Sequence, residues 1–393
     1  MVEFLALGDT HVWPELGAFS RFPGMANDSF RAFTDIIRTT EPFDTVLLLA
    51  GDVFEHSHRH GLTAAMQHVA NARKSPDTTS DWRTLFIQGN HDAVSVGMPP
   101  FMGFCGGKRL TRDALEFYPS DTSTEVRIAG LDYTRDVEQL YADLDYVRQQ
   151  KPDILLLHQG VDALLGFDGA FELKLDDLDG VADIIVCGHV HTPVVKELKS
   201  GTIFISPGST IPRNCTELGA LASNGFAMTS HFGGFILRRE SSNSEWQIER
   251  RLVPNSRQYA RFNVSTEAQL HEIKKTVTAV HETAHKKCEE TGFPYVRVQF
   301  NAENVSAGQL KDALGNVCYL DAVPYTVMSE EDVTKGVEED VESIVREHVD
   351  PENVRLFRTG MQAATAALQG GSVAGILDAE IEGVYRDHAV VSV

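Results

Sequence analysis

Val2–His11 reads VEFLALGDTH, a short and mostly apolar run closed by Gly8-Asp9-Thr10-His11. A run of this length, rich in large apolar side chains and bounded by Gly or Asp, is the pattern of a strand buried on both faces. The pattern recurs downstream. TVLLLA (Thr45–Ala50) runs into Gly51-Asp52, and TLFIQ (Thr84–Gln88) into Gly89-Asn90-His91-Asp92. ILLL (Ile154–Leu157) runs into His158-Gln159, and IIVC (Ile184–Cys187) into Gly188-His189-Val190-His191. Val126–Ala129 and Thr202–Ile205 are further strands. Asp28–Thr39, with Phe30, Phe33, Ile36 and Ile37 on one face, and Leu62–Arg73 read as intervening helices. Strand, loop, helix, strand in this rhythm predicts an α/β architecture, a layered sheet with helices on its faces.

Loops at the carboxyl ends of strands are where α/β folds build their sites. A single His after a strand is usually a cap or a core residue, and Asp after Gly is usually turn chemistry. Successive strand ends that all supply Asp, Asn or His are hard to explain as turns. These side chains offer oxygen and imidazole nitrogen, the donors that Mn²⁺, Fe²⁺ and Zn²⁺ accept, and without thiolates they lean away from a structural zinc. The set is large enough for two ions: Asp9, His11 and His191 for one, Asn90, His158 and His189 for the other, with Asp52 bridging. Two such ions roughly 3.5–4 Å apart suit in-line displacement at phosphorus. His91, beside Asn90, is left free to stabilise charge or protonate the leaving oxygen. Asp92 orients His91 or its loop, or is a plain cap. The expected chemistry is phosphoester hydrolysis.

The remaining chain is organised differently. Gly233–Arg239, Glu245–Leu252 and Gln258–Val264 read as strands, and Thr266 with Gln269 forms a capping box opening a helix that runs to about Glu290. YVRVQF (Tyr295–Phe300), a short helix capped by Ser306 and Gln309, and Val317–Val327 complete a small α+β unit. Between Ser329 and Asn353 ten acidic residues stand against two basic ones, with Val341, Ile344, Val345 and Val349 in near-helical spacing. That segment, and Val373–His388 beyond Gly370-Gly371, read as amphipathic helices, either a solvated tail or a docking surface. The expected boundaries are 1–252, 253–328 and 329–393.

Composition sets limits. The 393 residues are 42 % hydrophobic and carry a net charge of −21, which argues against polyanion binding by the overall field. The five cysteines, Cys105, Cys187, Cys215, Cys288 and Cys318, form no CxxC pair, as expected of a reduced cytosolic chain. No apolar run is long enough for a membrane span, and the N-terminus does not read as a signal peptide. The expectation is a soluble, cytoplasmic protein, bacterial or, if virus-encoded, in the host cell.

The D-x-H, GD, GNHD, H and GHxH blocks resemble the calcineurin-like metallophosphoesterase superfamily, implying its β-sandwich flanked by helices, here with a smaller α+β capping domain and a helical C-terminal tail. Within it, AGDVFEHS (Ala50–Ser57), LLLHQGV (Leu155–Val161), FELKLDDLDGVADIIVCGHVH (Phe171–His191) and SPGSTIPRN (Ser206–Asn214) are similar to the Mre-eleven/SbcD DNA double-strand-break-repair nucleases. The resemblance covers roughly residues 1–330. It implies a Mn²⁺-dependent 3′→5′ DNA exonuclease with endonuclease activity, a homodimer, and a partner SMC-like ATPase of the SbcC/Rad-fifty type docking on the C-terminal helices. Some members of that family carry His directly after the Phe of the second block, where this chain has Glu55. His56, His58 and His60 nearby are either a metal or phosphate contact or a solvated helix start. Two other readings stay open: hydrolysis of a small phosphodiester or nucleotide, and a scaffold gating the ATPase.

Overall fold

A computed structural model describes residues 2–325, apart from 15–20, 41–44, 57–60, 75–82, 93–99, 114–115, 118–124, 166–170, 214–216, 218–224, 227–231, 242–243 and 290. The chain runs β1 (Val2–Leu7), α1 (Asp28–Arg38), β2 (Thr45–Ala50), α2 (Leu62–Ala72), β3 (Thr84–Ile87), α3 (Phe101–Phe104), β4 (Lys108–Arg109), β5 (Glu116–Phe117), β6 (Arg127–Leu131) and α4 (Val137–Gln150). It continues with β7 (Ile154–His158), β8 (Ile184–Gly188), β9 (Val194–Glu197), β10 (Ile203–Ser206), β11 (Gly233–Arg239) and β12 (Gln247–Leu252). Last come β13 (Tyr259–Val264), α5 (Glu267–Lys287), β14 (Tyr295–Asn301), α6 (Ala307–Leu314) and β15 (Tyr319–Tyr325).

The first twelve strands form two six-stranded sheets, β12-β11-β1-β2-β3-β4 and β5-β6-β7-β8-β10-β9. Alternation along the strands divides their apolar residues between layers. Phe4, Ala6, Val46 and Leu48 meet Ile128, Ile154, Leu156, Ile184 and Val186 between the sheets. Leu5, Leu7, Leu47 and Leu49 face the other way, against Phe33, Ile36, Ile37 and Val69 of α1 and α2. Leu155, Leu157 and Ile185 likewise pack under Leu140, Leu144 and Val147 of α4. The result is the expected α/β sandwich flanked by helices, which explains why these strands are apolar on both faces.

β1, β2 and β3 are parallel in register, Leu7 opposite Leu49 and Ala50 opposite Ile87. β7 and β8 are parallel as well, with His158 opposite Gly188. The carboxyl ends of each sheet's central strands therefore lie together, and at Gly188 the two sheets nearly touch. A Cβ there would fall 2.1 Å from Ala50 O, so only glycine allows the approach.

β13, β14 and β15 form a third sheet, with β13 parallel to β14 and Tyr259 opposite Tyr295. Leu270, Ile273 and Val277 of α5 and Leu310 and Leu314 of α6 cover it. Both expected capping boxes are present, Thr266 with Gln269 and Ser306 with Gln309. α5 stops at Lys287, short of Glu290, because Cys288 turns extended with φ −155°. Where this unit meets the sandwich, Arg257 holds Asp28 bidentately, Nε to Oδ2 at 2.6 Å and Nη2 to Oδ1 at 3.0 Å. Arg257 also donates to Gly24 O at 2.9 Å and to Phe293 O. Residues 329–393, the expected helical tail, lie outside the described residues.

Candidate metal centre

Six non-glycine residues among those described have positive φ, and four belong to the strand-end clusters: Asp9 (φ 47°), His11 (φ 41°), Asp52 (φ 50°) and His189 (φ 85°). Left-handed backbone at such residues costs of the order of 1 kcal/mol or more and marks places where surroundings dictate side-chain direction. Here it turns the chain leaving three strands, β1, β2 and β8, inward to one point. Asp9, His11, Asp52 and His158 are buried, at 0–2 % exposure. Gly89 permits the closure, since a Cβ at that position would sit 2.0 Å from Asp52 Oδ1.

His11 and His191 approach with Nε2 atoms 3.2 Å apart, and His191 Nε2 lies 3.7 Å from Asp9 Oδ1. Asp52 Oδ2 is 3.9 Å from His11 Nε2 on one side and 3.4 Å from His158 Nε2 on the other. Asn90 Oδ1 lies 3.1 Å from His158 Nε2 and 3.2 Å from His189 Nδ1. Asp9 ties the strand ends together by accepting the His189 backbone N–H at 3.0 and 3.1 Å. The structure thus brings together all seven residues expected as ligands, with Asp52 between the two subsets. Asp9, His11 and His191, and separately Asp9, Asp52 and His158, each converge closely enough to hold one cation.

The ring nitrogens not facing this centre are engaged. His158 Nδ1 lies 2.8 Å from Ala50 O, which fixes its proton there. His191 Nδ1 meets Glu217 Oε2 at 2.9 Å. His11 Nδ1 meets Glu55 Oε2 at 2.8 Å, a short but bent approach. With each Nδ1 directed at an oxygen, the Nε2 atoms of His11 and His191 present lone pairs to each other, and that of His158 faces two oxygens. Such acceptor-to-acceptor contacts need a cation or an extra proton between them. The donor set therefore fits divalent metal ions.

Titration divides the cluster. Burial and the neighbouring cations Arg213 and His158 hold His11 and His189 respectively down to about 4, the neutral form that coordinates metal. Burial would also lower His158, but the Asp52 carboxylate outweighs it and lifts it to about 9. Burial would raise Asp52, but His158 pulls it well below the usual carboxylate range. A proton on His158 thus stands where positive charge is wanted beside Asp52. Asp9 is raised by burial.

His91 sits at the rim. Its backbone N–H donates to Asp52 Oδ1 at 2.8 Å, its Nδ1 lies 2.7 Å from Glu55 O, and its ring stands edge-on to His11 at 5.0 Å. Asp92 does not touch the His91 ring. Its carboxylate accepts backbone N–H groups from Val53 (3.1 Å), Phe54 (2.9 Å) and Gly89 (3.2 Å), so it holds the two loops together. Burial and the charge of Asp52 push it up to about 7. Glu217 and the side-chain role of Glu55 escaped the sequence reading. His56 packs edge-on against Trp13 at 5.4 Å, and His58 and His60 lie outside the described residues.

Residues 2–193 match the family model described as Calcineurin-like phosphoesterase. This stretch, which holds all seven converging residues, is similar to the calcineurin-like phosphoesterases. More particularly, the DNA double-strand break repair protein Mre11 of Sulfurisphaera tokodaii is 35 % identical over 88 residues, 22 % of this chain. That match spans 23 % of the relative's own length. A protein of unknown function from Aquifex aeolicus has a solved structure that covers 40 % of this chain and 78 % of its own, with 15 % identity and a TM-score of 0.26. No described helix is long and apolar enough to cross a membrane.

Proposed function

We propose that this chain is a DNA phosphodiester hydrolase, an exonuclease and endonuclease acting in double-strand-break processing, recombination or replication. The observation that carries the hydrolytic part is the convergence of imidazole nitrogens and side-chain oxygens around Asp52, a constellation that a pair of cations completes. The partial likeness to Mre11 and the α+β unit after Leu252 support DNA as the substrate.

Asp9, His11 and His191 would hold one ion, Asn90, His158 and His189 the second, with Asp52 between them; Mn²⁺ suits this oxygen and imidazole set. Two such ions, when bound, lower the pKa of a water and neutralise charge on the phosphoryl oxygens. The protein's own groups do the rest. Asp9 and Asp52 fix the loops by accepting backbone N–H groups, so the ligands need little reorganisation. His91, with Nδ1 committed to Glu55 O, has Nε2 left to hand a proton to the departing 3′ or 5′ oxygen. Asp92 keeps the His91 loop in place from behind.

The same reading assigns 1–252 to catalysis, 253–328 to a DNA-contacting cap and 329–393 to docking of an SbcC/Rad-fifty-type ATPase on a homodimer, in the cytoplasm. With a net charge of −21, and with Arg109, Arg112 and Arg213 each paired to a carboxylate (Asp132, Asp143 and Glu55), the bound cations must attract DNA, or the ATPase must supply it. That charge is also what favours the second reading, a small phosphodiester or nucleotide as substrate.

Incubation of the full chain with Mn²⁺ and end-labelled linear duplex tests the choice, with Asn90→Ala and His91→Ala as controls. Degradation lost in both variants supports the nuclease. Hydrolysis of bis-p-nitrophenyl phosphate with none of DNA transfers the assignment to a small substrate, and no hydrolysis of either leaves the ATPase scaffold.

A further inference from the structure

Behind the ligands lies a run of charge that the hydrolytic reading does not use. Glu55 is 4 % exposed, although its backbone sits in the loop after β2. Its Oε2 faces His11 Nδ1 at 2.8 Å, while its Oε1 accepts from Arg213 Nη2 at 2.5 Å. The Arg213 backbone N–H in turn donates to Glu217 Oε2 at 2.8 Å, the same oxygen that lies 2.9 Å from His191 Nδ1. His11 and His191 are thus each backed by a carboxylate, and Arg213 links the two carboxylates. The other pair is built otherwise. His158 is backed by the neutral carbonyl of Ala50, and His189 turns Nδ1 inward with its ring stacked on Tyr133 at 5.7 Å.

A carboxylate behind a ligating imidazole fixes its tautomer and raises its basicity, and losing such a partner typically weakens metal binding about 10- to 100-fold. A backbone carbonyl orients the ring without adding negative charge. Residue 55 has a second task, because its carbonyl oxygen lies 2.7 Å from His91 Nδ1. One residue thereby reaches both a ligand of one ion and the candidate acid.

We infer that Glu55 and Glu217, clamped by Arg213, are positioning residues that make the His11/His191 subsite the tighter of two unequal metal sites and tie its geometry to His91. The inference rests on the two-ion reading above. It also gives a role to the carboxylate found where the similar nucleases carry a histidine: Glu55 reaches back to a ligand.

The test is Mn²⁺ titration of the full chain, followed by calorimetry and by electron paramagnetic resonance, which separates coupled Mn pairs from isolated ions. The wild type should take up two ions in distinguishable steps. Glu55→Leu should weaken the tighter step about 10- to 100-fold and leave the weaker one in place, so that the coupled signal gives way to that of an isolated ion. Glu55→Gln, which keeps an oxygen facing His11 Nδ1 without the negative charge, should recover part of the loss. If Glu55→Leu does not fold, Glu217→Gln at the rim makes the same measurement on His191. Both steps unchanged in these variants, or both weakened equally, overturns the inference. A wild type that binds no Mn²⁺ removes the two-ion reading itself.

Discussion

Two regions of this molecule bury charge, and they do so in opposite ways. At the seam between the sandwich and the α+β unit, the buried carboxylates Asp28 and Asp321 meet their complements. Arg257 and Asp28 form a bidentate pair, and Asp321, 4 % exposed, accepts from Tyr295 Oη at 2.5 Å and pairs with Arg21 at 2.5 Å. At the strand ends, imidazole nitrogens and side-chain oxygens crowd one another, and Asp9, His11, Asp52 and His189 of that cluster sit in left-handed backbone. A balanced polar core stabilises a fold. An unbalanced one holds a place for a ligand, and the fold around it bears the cost.

If this contrast is sound, substitutions at the strand ends should remove activity more than stability, and those at the seam the reverse. The largest effect is expected from Asp52→Asn, which withdraws the shared carboxylate. Phosphodiester hydrolysis should fall by roughly four orders of magnitude, the several kcal/mol that bound ions contribute, with little change in the urea midpoint of the metal-free chain. A stability loss as large as the activity loss would erase the contrast. His91→Ala comes next, with turnover down about 10²- to 10⁴-fold and Mn content by mass spectrometry unchanged. Metal falling together with activity would make His91 a ligand. At the seam, Arg257→Ala leaves Asp28 buried without its partner and should cost about 3–5 kcal/mol in urea unfolding. Turnover of the folded fraction should stay near wild type. Stripping metal with a chelator should lower stability by about 3 kcal/mol for ions present at a hundred times their dissociation constant, read as a fall in the thermal midpoint. Smallest is Thr266→Ala, about 1 kcal/mol for a lost helix cap; a larger loss would mean that α5 does more than cover its sheet.

The same contrast explains what could be read from the sequence. The strands and the Asp, Asn and His clusters that end them were legible because ligand chemistry needs particular residue types and strand burial needs apolar runs, and both sit in short contiguous blocks. The capping boxes of α5 and α6 were legible for the same local reason. Glu217 was not, because it acquires its meaning only from its contact with His191. Nor was the pairing of Asp28 with Arg257, 229 positions apart in the chain. α4 did carry a signal, Asp136 as cap and Leu140, Leu144 and Val147 on one stripe, and was passed over among more conspicuous strands. α3, β4 and β5 are too short to show any period.

β1 is the first of the described strands, yet one of its two neighbours, β11, comes more than two hundred residues later, Val2 pairing with Arg239. During synthesis the first strand of the sandwich must wait with a bare edge until that partner emerges from the ribosome. Unpaired edges of apolar strands attract one another, so nascent chains of this protein stay vulnerable late, after the strands bearing the candidate ligands have emerged. A fragment ending before Gly233 should accordingly scatter light where the full chain stays clear.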